Sequence, residues 1–382
     1  MTARRRVVIV VPGFPTSRDE PPLSAIVDLV ERIAVVHDTH VVALRHPPAG
    51  ARRALARATI HAIGAGGEHG ALGRATVLRR GVRLVRALHR EAPIDLIHGL
   101  WLDEPGAVAA LAGRSIRRPT LASLMGGEFT ALPDIDYGAA LGRGGRWTTA
   151  LTLRLADLVS APSVAGVGAL QARRRGRPVA RLPLGVDPIA FEPGRDSGPA
   201  AGGDARTVLF VGSLEPVKDP ARLVRIVATL TAGRPDLRLE LIGDGGLRPD
   251  LETLAADLGI ADRVVVVGPL PRAALADRYR AATVLAVPSR HEAQSMVAVE
   301  AAACGLPVVG TAVGILPDLG AGARTVPPGD DAAFAAALAA VLDDPTLASA
   351  MGAAGRSVVL ERFDLDRTAA ATLDAYECLI DR

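Results

Sequence analysis

Three ionisable side chains in the second half of this sequence can grip a phosphorylated ligand. Glu292 and Glu300 stand eight residues apart in PSRHEAQSMVAVEAAACGLPVVGT, the stretch from Pro288 to Thr311. The apolar run Val284 to Val287 reads as a short strand ending at Pro288. A polar loop follows, then a helix over about Ser295 to Cys304, then Gly305, Pro307 and a further apolar strand. A carboxylate inside an otherwise apolar segment needs a partner, because unpaired charge is costly to bury. The loop and helix start fall at the carboxyl end of a strand, where open α/β sheets bind ligands. The free N–H groups of such a helix start suit a phosphate. From there Glu300 can reach a ribose hydroxyl, and Glu292 the hydroxyls of a sugar attached to the phosphate. Two ordinary surface carboxylates would show the same spacing, so position alone leaves both readings open.

The third side chain is Lys218, in VLFVGSLEPVKDP. The chain has 43 Arg, a single Lys and no Asn, which makes the place of that Lys informative. It follows a strand, behind Gly212 and Ser213, which allow close backbone approach. There a compact ammonium can meet a diphosphate as a point charge. The competing reading is a solvated surface lysine.

These residues need a frame, and the chain supplies a repeating one. In the first half, apolar runs at Arg6–Val11, His40–Leu44, Thr59–Ile63, Ile94–His98, Pro119–Ser123, Leu158–Ala161 and Val179–Leu182 alternate with helical patterns. The pattern restarts at Thr207–Val211 and continues through Arg238–Ile242, Val264–Val267, Val284–Val287 and Pro307–Gly310, with a short run at Arg324–Val326. Near-continuous apolar strands separated by helices mean parallel sheets covered on both faces, an α/β doubly wound architecture. The expected division is a first domain over 1–190, a Gly/Pro/Ala-rich linker over 191–206, a second domain over 207–364, and a C-terminal helix over 365–382. No dinucleotide fingerprint is present: the Gly-rich turns IGDGG and VGPLP lack its GxGxxG spacing.

The stretch EAQSMVAVEAAACGLPVVGT resembles the donor-site motif of the retaining glycosyltransferases of family 4. The landmarks IDLIHGLWLDEPG, RLADLVSAPS, PLGVDPIAF, VLFVGSLEPVKDP, LIGDGG and VVVVGPLP follow in that family's order. The resemblance implies a GT-B fold, with two Rossmann-like domains facing a central cleft and a C-terminal helix crossing back to the first. It implies transfer of a sugar from a UDP- or GDP-linked donor, with Lys218 and Glu292 catalytic and no metal or other cofactor. Gly212, Ser213, Gly268, Leu270, Ser295, Met296 and Glu300 would complete the donor site. Gly13, His98 and Glu128 would lie on the acceptor side, although a core histidine is an equal reading of His98. The acceptor would be a glycan, a lipid or a small molecule. The chain departs from the family at Ser213, where an Arg normally precedes the Lys by five residues, and at Met125, where a His is usual. Arg290 is a candidate to replace the missing cation. These departures support a second reading, a GT-B protein that binds nucleotide sugar without turnover. An epimerase is a third.

Charge and composition bound the partners. Residues 1–190 carry 26 Arg against 15 acids, net +11, and residues 191–382 carry 18 basic against 26 acidic side chains, net −8. A basic half favours an anionic partner, either a membrane surface or a phosphorylated acceptor. Arg79, Arg83, Arg86 and Arg90 form a stripe at helical spacing beside Leu78, Val82 and Val85, the pattern of a helix that can lie on an anionic bilayer. An ordinary amphipathic helix has the same pattern. Nucleic acid is disfavoured, since aromatic residues do not interleave with these charges. The cysteines, Cys304 and Cys378, suggest neither a disulfide framework nor a metal site. The expected location is cytoplasmic, with peripheral attachment to the inner face of the membrane as an option.

Overall fold

The computed structural model describes residues 4–17, 24–48, 52–68, 70–194 and 206–381. It divides into two compact units, residues 1–185 with 365–382, and residues 186–364.

The first unit contains, in chain order, β1 (Arg6–Gly13), α1 (Ser24–Val36), β2 (Asp38–His46), β3 (Arg52–Leu55), β4 (Ala58–Ala62), α2 (Gly70–Glu91), β5 (Leu96–Leu100), α3 (Glu104–Ile116), β6 (Thr120–Ser123), α4 (Arg143–Leu155), β7 (Leu158–Ala161), α5 (Val164–Arg174) and β8 (Val179–Arg181). The strands form one eight-stranded sheet in the order β3-β4-β2-β1-β5-β6-β7-β8. All neighbouring pairs are parallel except the edge hairpin β3–β4. The sequence reading has no strand at β3, because RRAL lacks the apolar alternation that marks one. Val8 and Val10 of β1 pack with Val77 and Val85 of α2 and Val108 of α3 in one core layer. That layer consumes the apolar face of α2, so the helix cannot lay this face on a bilayer while the unit is folded. Arg79, Arg83, Arg86 and Arg90 are its exposed edge.

The second unit contains β9 (Thr207–Val211), α6 (Pro220–Thr231), β10 (Arg238–Ile242), α7 (Arg248–Asp257), β11 (Val264–Gly268), α8 (Arg272–Ala281), β12 (Val284–Val287), α9 (Met296–Ala303), β13 (Val308–Thr311), β14 (Ala323–Val326), α10 (Asp331–Asp343) and α11 (Pro345–Arg362). Its six parallel strands run β11-β10-β9-β12-β13-β14. Successive residues of β9 face opposite layers: Val208 and Phe210 pack with α6 and α10 residues, and Leu209 packs with Leu285, Val299 and Leu306. This two-sided burial is the physical reason for the unbroken apolar runs in the sequence. The strand order reverses between β9 and β12, and the connections leaving the carboxyl ends of these two strands bound the crevice where doubly wound sheets hold ligands.

The start of the expected linker is packed chain. Phe191 is fully buried, and its carbonyl accepts from Arg356. Residues 195–205 of that linker lie outside the described residues. The last helix, α12 (Leu365–Ile380), belongs to the first unit and buries Tyr376 and Leu379. Among the described residues no single helix is long and apolar enough to cross a membrane; α10 and α11 pass that test only as a pair bent by 102°, and they bury Phe334, Leu338 and Met351 in the core of the second unit.

Candidate active site

The two connections flanking the reversal carry the expected chemistry and bring it together. Lys218 follows β9, and Glu292 follows β12. The Lys218 ammonium donates to Glu292 Oε1 at 2.7 Å, and Ser289 Oγ lies 2.8 Å from the same oxygen. The two loops are also tied through the backbone, Arg290 N donating to the Val217 carbonyl at 2.8 Å. The Glu292 side chain is 8% exposed and that of Lys218 28%, so the pair sits at the edge of the protein interior with the ammonium on the wetter side. A partly desolvated pair of this kind holds its geometry better than a surface ion pair.

Backbone turns make room above the strand ends. Gly212 N donates to the Ile242 carbonyl and Gly243 N to the Gly268 carbonyl, so the sheet ladder continues one residue past β9 and β10. Gly243 has φ +139°, and a Cβ there would stand 1.9 Å from the Gly212 carbonyl oxygen. Only glycine allows this approach. Gly268 also has positive φ and is buried, Leu270 is half-buried, and Ser213 is exposed beside Gly212.

The Glu292–Ser295 loop is held from the far side by the turn after β13. Gly314 adopts φ +59°, where a Cβ would meet the Gln294 carbonyl oxygen at 2.5 Å and Glu292 Cβ at 2.8 Å. Ile315 N donates to that carbonyl at 2.9 Å. Ser295, at φ +84°, then starts α9, with Met296 as the first helical residue. Glu300 lies one turn further in, 7% exposed, and accepts from the Tyr279 hydroxyl at 3.0 Å. A phenol donor is the kind of partner a carboxylate in an apolar helix requires. Ser289, Tyr279 and Gly314 carry no signal in the sequence beyond residue type, because their roles depend on packing between elements distant along the chain, whereas Gly243 belongs to the Gly-rich turn IGDGG. Arg290 is half-buried, and its charge acts on the Asp219 carboxyl at the N-cap of α6.

In the first unit, Gly13 closes β1 against His46. His98 is a core histidine. It is 2% exposed, with Nδ1 at 2.7 Å from the Tyr376 hydroxyl and Nε2 at 2.7 Å from Ser123 Oγ. Both ring nitrogens are occupied, so the expectation that it meets an acceptor gives way to the structural reading. Burial holds its pKa down at about 3. Glu128 is also buried and accepts from the backbone N–H groups of Leu102, Met125 and Gly126, which fixes the loop after β6. Desolvation pushes its pKa up to about 7, opposed by the Met125 and Leu102 N–H bonds. Neighbouring Asp103 is raised to about 6, first by burial and then by the adjacent Glu104. Glu104 is clamped by Nε and Nη2 of Arg45 and approached by Arg74. Among the described residues no group of His, Cys, Asp and Glu could hold a metal ion.

Residues 197–358 match the family described as glycosyl transferases group 1. The D-inositol 3-phosphate glycosyltransferase of Kineococcus radiotolerans is 34% identical over 98% of this chain and 87% of its own length. This chain is a family 4 glycosyltransferase. A relative of the same name from Streptomyces avermitilis is 36% identical over 88% of the enzyme and 74% of its own length. Among solved structures, sucrose-phosphate synthase from Thermosynechococcus elongatus superposes with TM-score 0.82 at 23% identity, covering 99% of the glycosyltransferase and 100% of that chain. Anabaena HepE in complex with UDP-glucose gives 0.73 at 19% identity, over 97% and 99% of the two chains. The glycosyltransferase has the GT-B fold.

Proposed function

We propose that this glycosyltransferase moves a sugar, with retention of anomeric configuration, from a nucleoside-diphosphate sugar on its second unit to a phosphorylated small-molecule acceptor on its first. The observation that carries the donor reading is the Lys218–Glu292 pair at the reversal of the second sheet, beside the start of α9. The diphosphate lies against the Lys218 ammonium and the N–H groups of α9, which stabilise the charge it gains on leaving. Glu300 takes the ribose and Glu292 a hydroxyl of the transferring sugar. Gly212, Ser213, Gly268, Leu270 and Met296 line the same site, the two glycines through their backbone. The bond from the anomeric carbon to the diphosphate breaks, the acceptor oxygen bonds that carbon, and the acceptor proton passes to a diphosphate oxygen. No metal is needed in this scheme, since Lys218 and the helix amides supply the positive charge.

The phosphorylated acceptor is supported by the curated relatives, named for D-inositol 3-phosphate, and by the net charge of +11 over residues 1–190. UDP-sugars are the first donors to test, because the HepE structure holds UDP-glucose. The experiment is an assay of UDP- and GDP-sugars against phosphorylated and unphosphorylated sugars and cyclitols, repeated in EDTA, with the product anomer read by NMR. The expected result is EDTA-resistant transfer to a phosphorylated acceptor with the donor's configuration kept. An inverted product overturns retention, and a preference for unphosphorylated acceptors overturns the acceptor class.

A further inference from the structure

The helices α3, α4 and α5 lead into β6, β7 and β8, which are neighbouring parallel strands. Their carboxyl ends therefore gather at the amino ends of those strands. Side-chain bonds tie these ends together. Arg114 Nη2, at the end of α3, donates to the Leu155 carbonyl of α4 at 3.1 Å. Arg174 Nη1, at the end of α5, donates to the Ala156 carbonyl at 3.0 Å, and Arg177 Nη2 to the same carbonyl at 3.2 Å. These three arginines satisfy the carboxyl end of α4, whose last carbonyls carry partial negative charge.

Beyond those caps the cluster is charge without a counter-ion. Residues 114–118, 153–157 and 173–177 hold eight Arg and one acid, Asp157. That carboxylate is spent on Thr120, accepting from its N–H and its hydroxyl at 2.9 Å each. Arg117, Arg154, Arg173 and Arg175 are exposed and form no ion pair among the described residues. Burial and then the charge of Arg177 lower the Arg174 pKa to about 10, so like charges act on one another here. Two of the exposed arginines also sit at unfavourable backbone angles. Arg117 ends α3 at φ +57° and Arg175 ends α5 at φ +46°, the left-handed cap where glycine is usual and a side chain carries a cost. A surface that served solubility alone would mix both signs.

We infer that this end of the first unit docks on an anionic lipid bilayer, setting its arginines among the headgroups without inserting apolar side chains. An anionic leaflet attracts a basic cluster through its surface potential and needs no matching shape. Nucleic acid fits less well, since none of the three segments contains an aromatic residue for bases to stack on. This mode makes no use of the apolar face of α2, which is packed in the core. The carboxyl ends of the same strands, where doubly wound sheets bind ligands, lie at the opposite end of the sheet, so docking leaves them open to a soluble acceptor.

The test is co-sedimentation of the full-length protein with vesicles of phosphatidylcholine alone and of phosphatidylcholine with about 30% phosphatidylglycerol, in low salt and in about 0.5 M NaCl. Binding is expected to the anionic vesicles only, and to be lost in the higher salt. Arg117→Gly combined with Arg175→Gly removes two charges at positions whose backbone suits glycine. That variant is expected to bind about 25-fold more weakly, at about fivefold per charge. Arg154→Gln combined with Arg175→Gln should show the same loss and serves if the glycine pair does not fold. Arg79→Gln combined with Arg83→Gln removes equal charge from the side of α2 and should change binding by less than about threefold. Equal binding to neutral vesicles, an equal loss in the α2 pair, or full binding by a folded variant of the cluster overturns the inference. So does wild type that binds no anionic vesicle, including wild type that binds a DNA duplex instead.

Discussion

Lys218 and Glu292 are 74 residues apart in sequence and 2.7 Å apart in space, joined at the point where the strand order of the second sheet reverses. The ammonium is a donor to one carboxylate oxygen and retains further N–H bonds for an anion. The carboxylate, also bonded by Ser289, keeps Oε2 outside both of those contacts. A diphosphate and a sugar can therefore be read by one pair of side chains.

Glu292→Ala should separate binding from transfer. UDP affinity is expected to stay within about threefold of wild type, while kcat falls by about 100-fold, because a contact to the transferring sugar matters most as charge develops on it. Steady-state kinetics beside calorimetry checks this. Equal losses in affinity and kcat would place Glu292 on the nucleotide instead.

Glu300→Ala should show the opposite pattern. Loss of a buried carboxylate that bonds a ribose is expected to weaken UDP by about tenfold or more. Tyr279→Phe, which removes the 3.0 Å bond to Glu300, should weaken UDP by less and in the same direction. Titration of 2′,3′-dideoxy-UDP provides the control: it should bind both variants and wild type with nearly the same affinity.

Gly243→Ala should destabilise the second unit by about 2–4 kcal/mol, since the added Cβ meets backbone at a positive φ. Gly246→Ala, three residues on, has open space around its Cβ position and should be nearly neutral. Urea denaturation of the two variants gives the comparison.

Glu128 should contribute stability to the first unit that is lost as pH rises. Glu128 has a folded pKa near 7, raised by burial from an ordinary value of 4.5. Between those values the folded state binds more protons than the unfolded state, so stability is greatest below the unfolded pKa and declines through the folded one. His98 of the same unit, held down at about 3, acts in the opposite sense below its ordinary value of 6.5, and Asp103, raised to about 6, acts in the same sense, so the measurement is a difference between two proteins. The stability of wild type relative to Glu128→Gln, which cannot ionise, should fall between pH 5 and pH 7.5. A difference that stays constant or grows over this window would contradict the assignment.

The meeting of Lys218 and Glu292 was legible because both residue types stand directly after strands. A Lys after β9, a Glu after β12 and a second Glu in the next helix must gather at one end of the sheet once the strands are known to be parallel. What the sequence concealed depends on tertiary packing. The edge strand β3 has no apolar alternation, since its pairing with β4 supplies what propensity does not. His98 looks like a site residue at a strand end, but Tyr376, 278 positions later, occupies its ring and places it in the core. Glu128 ends at backbone amides of its own loop and of Leu102, which no spacing rule anticipates. The positive φ of Ser295 is equally invisible, since serine carries no sequence signal for that region.

The central claim is that the second unit holds a nucleoside diphosphate through Lys218. Calorimetric titration of UDP and GDP into wild type and Lys218→Ala, with circular dichroism to verify folding, tests it most directly. The account predicts binding by wild type and a loss of about 30-fold or more in the variant with an unchanged fold. A folded variant that binds either nucleotide as tightly as wild type would contradict it.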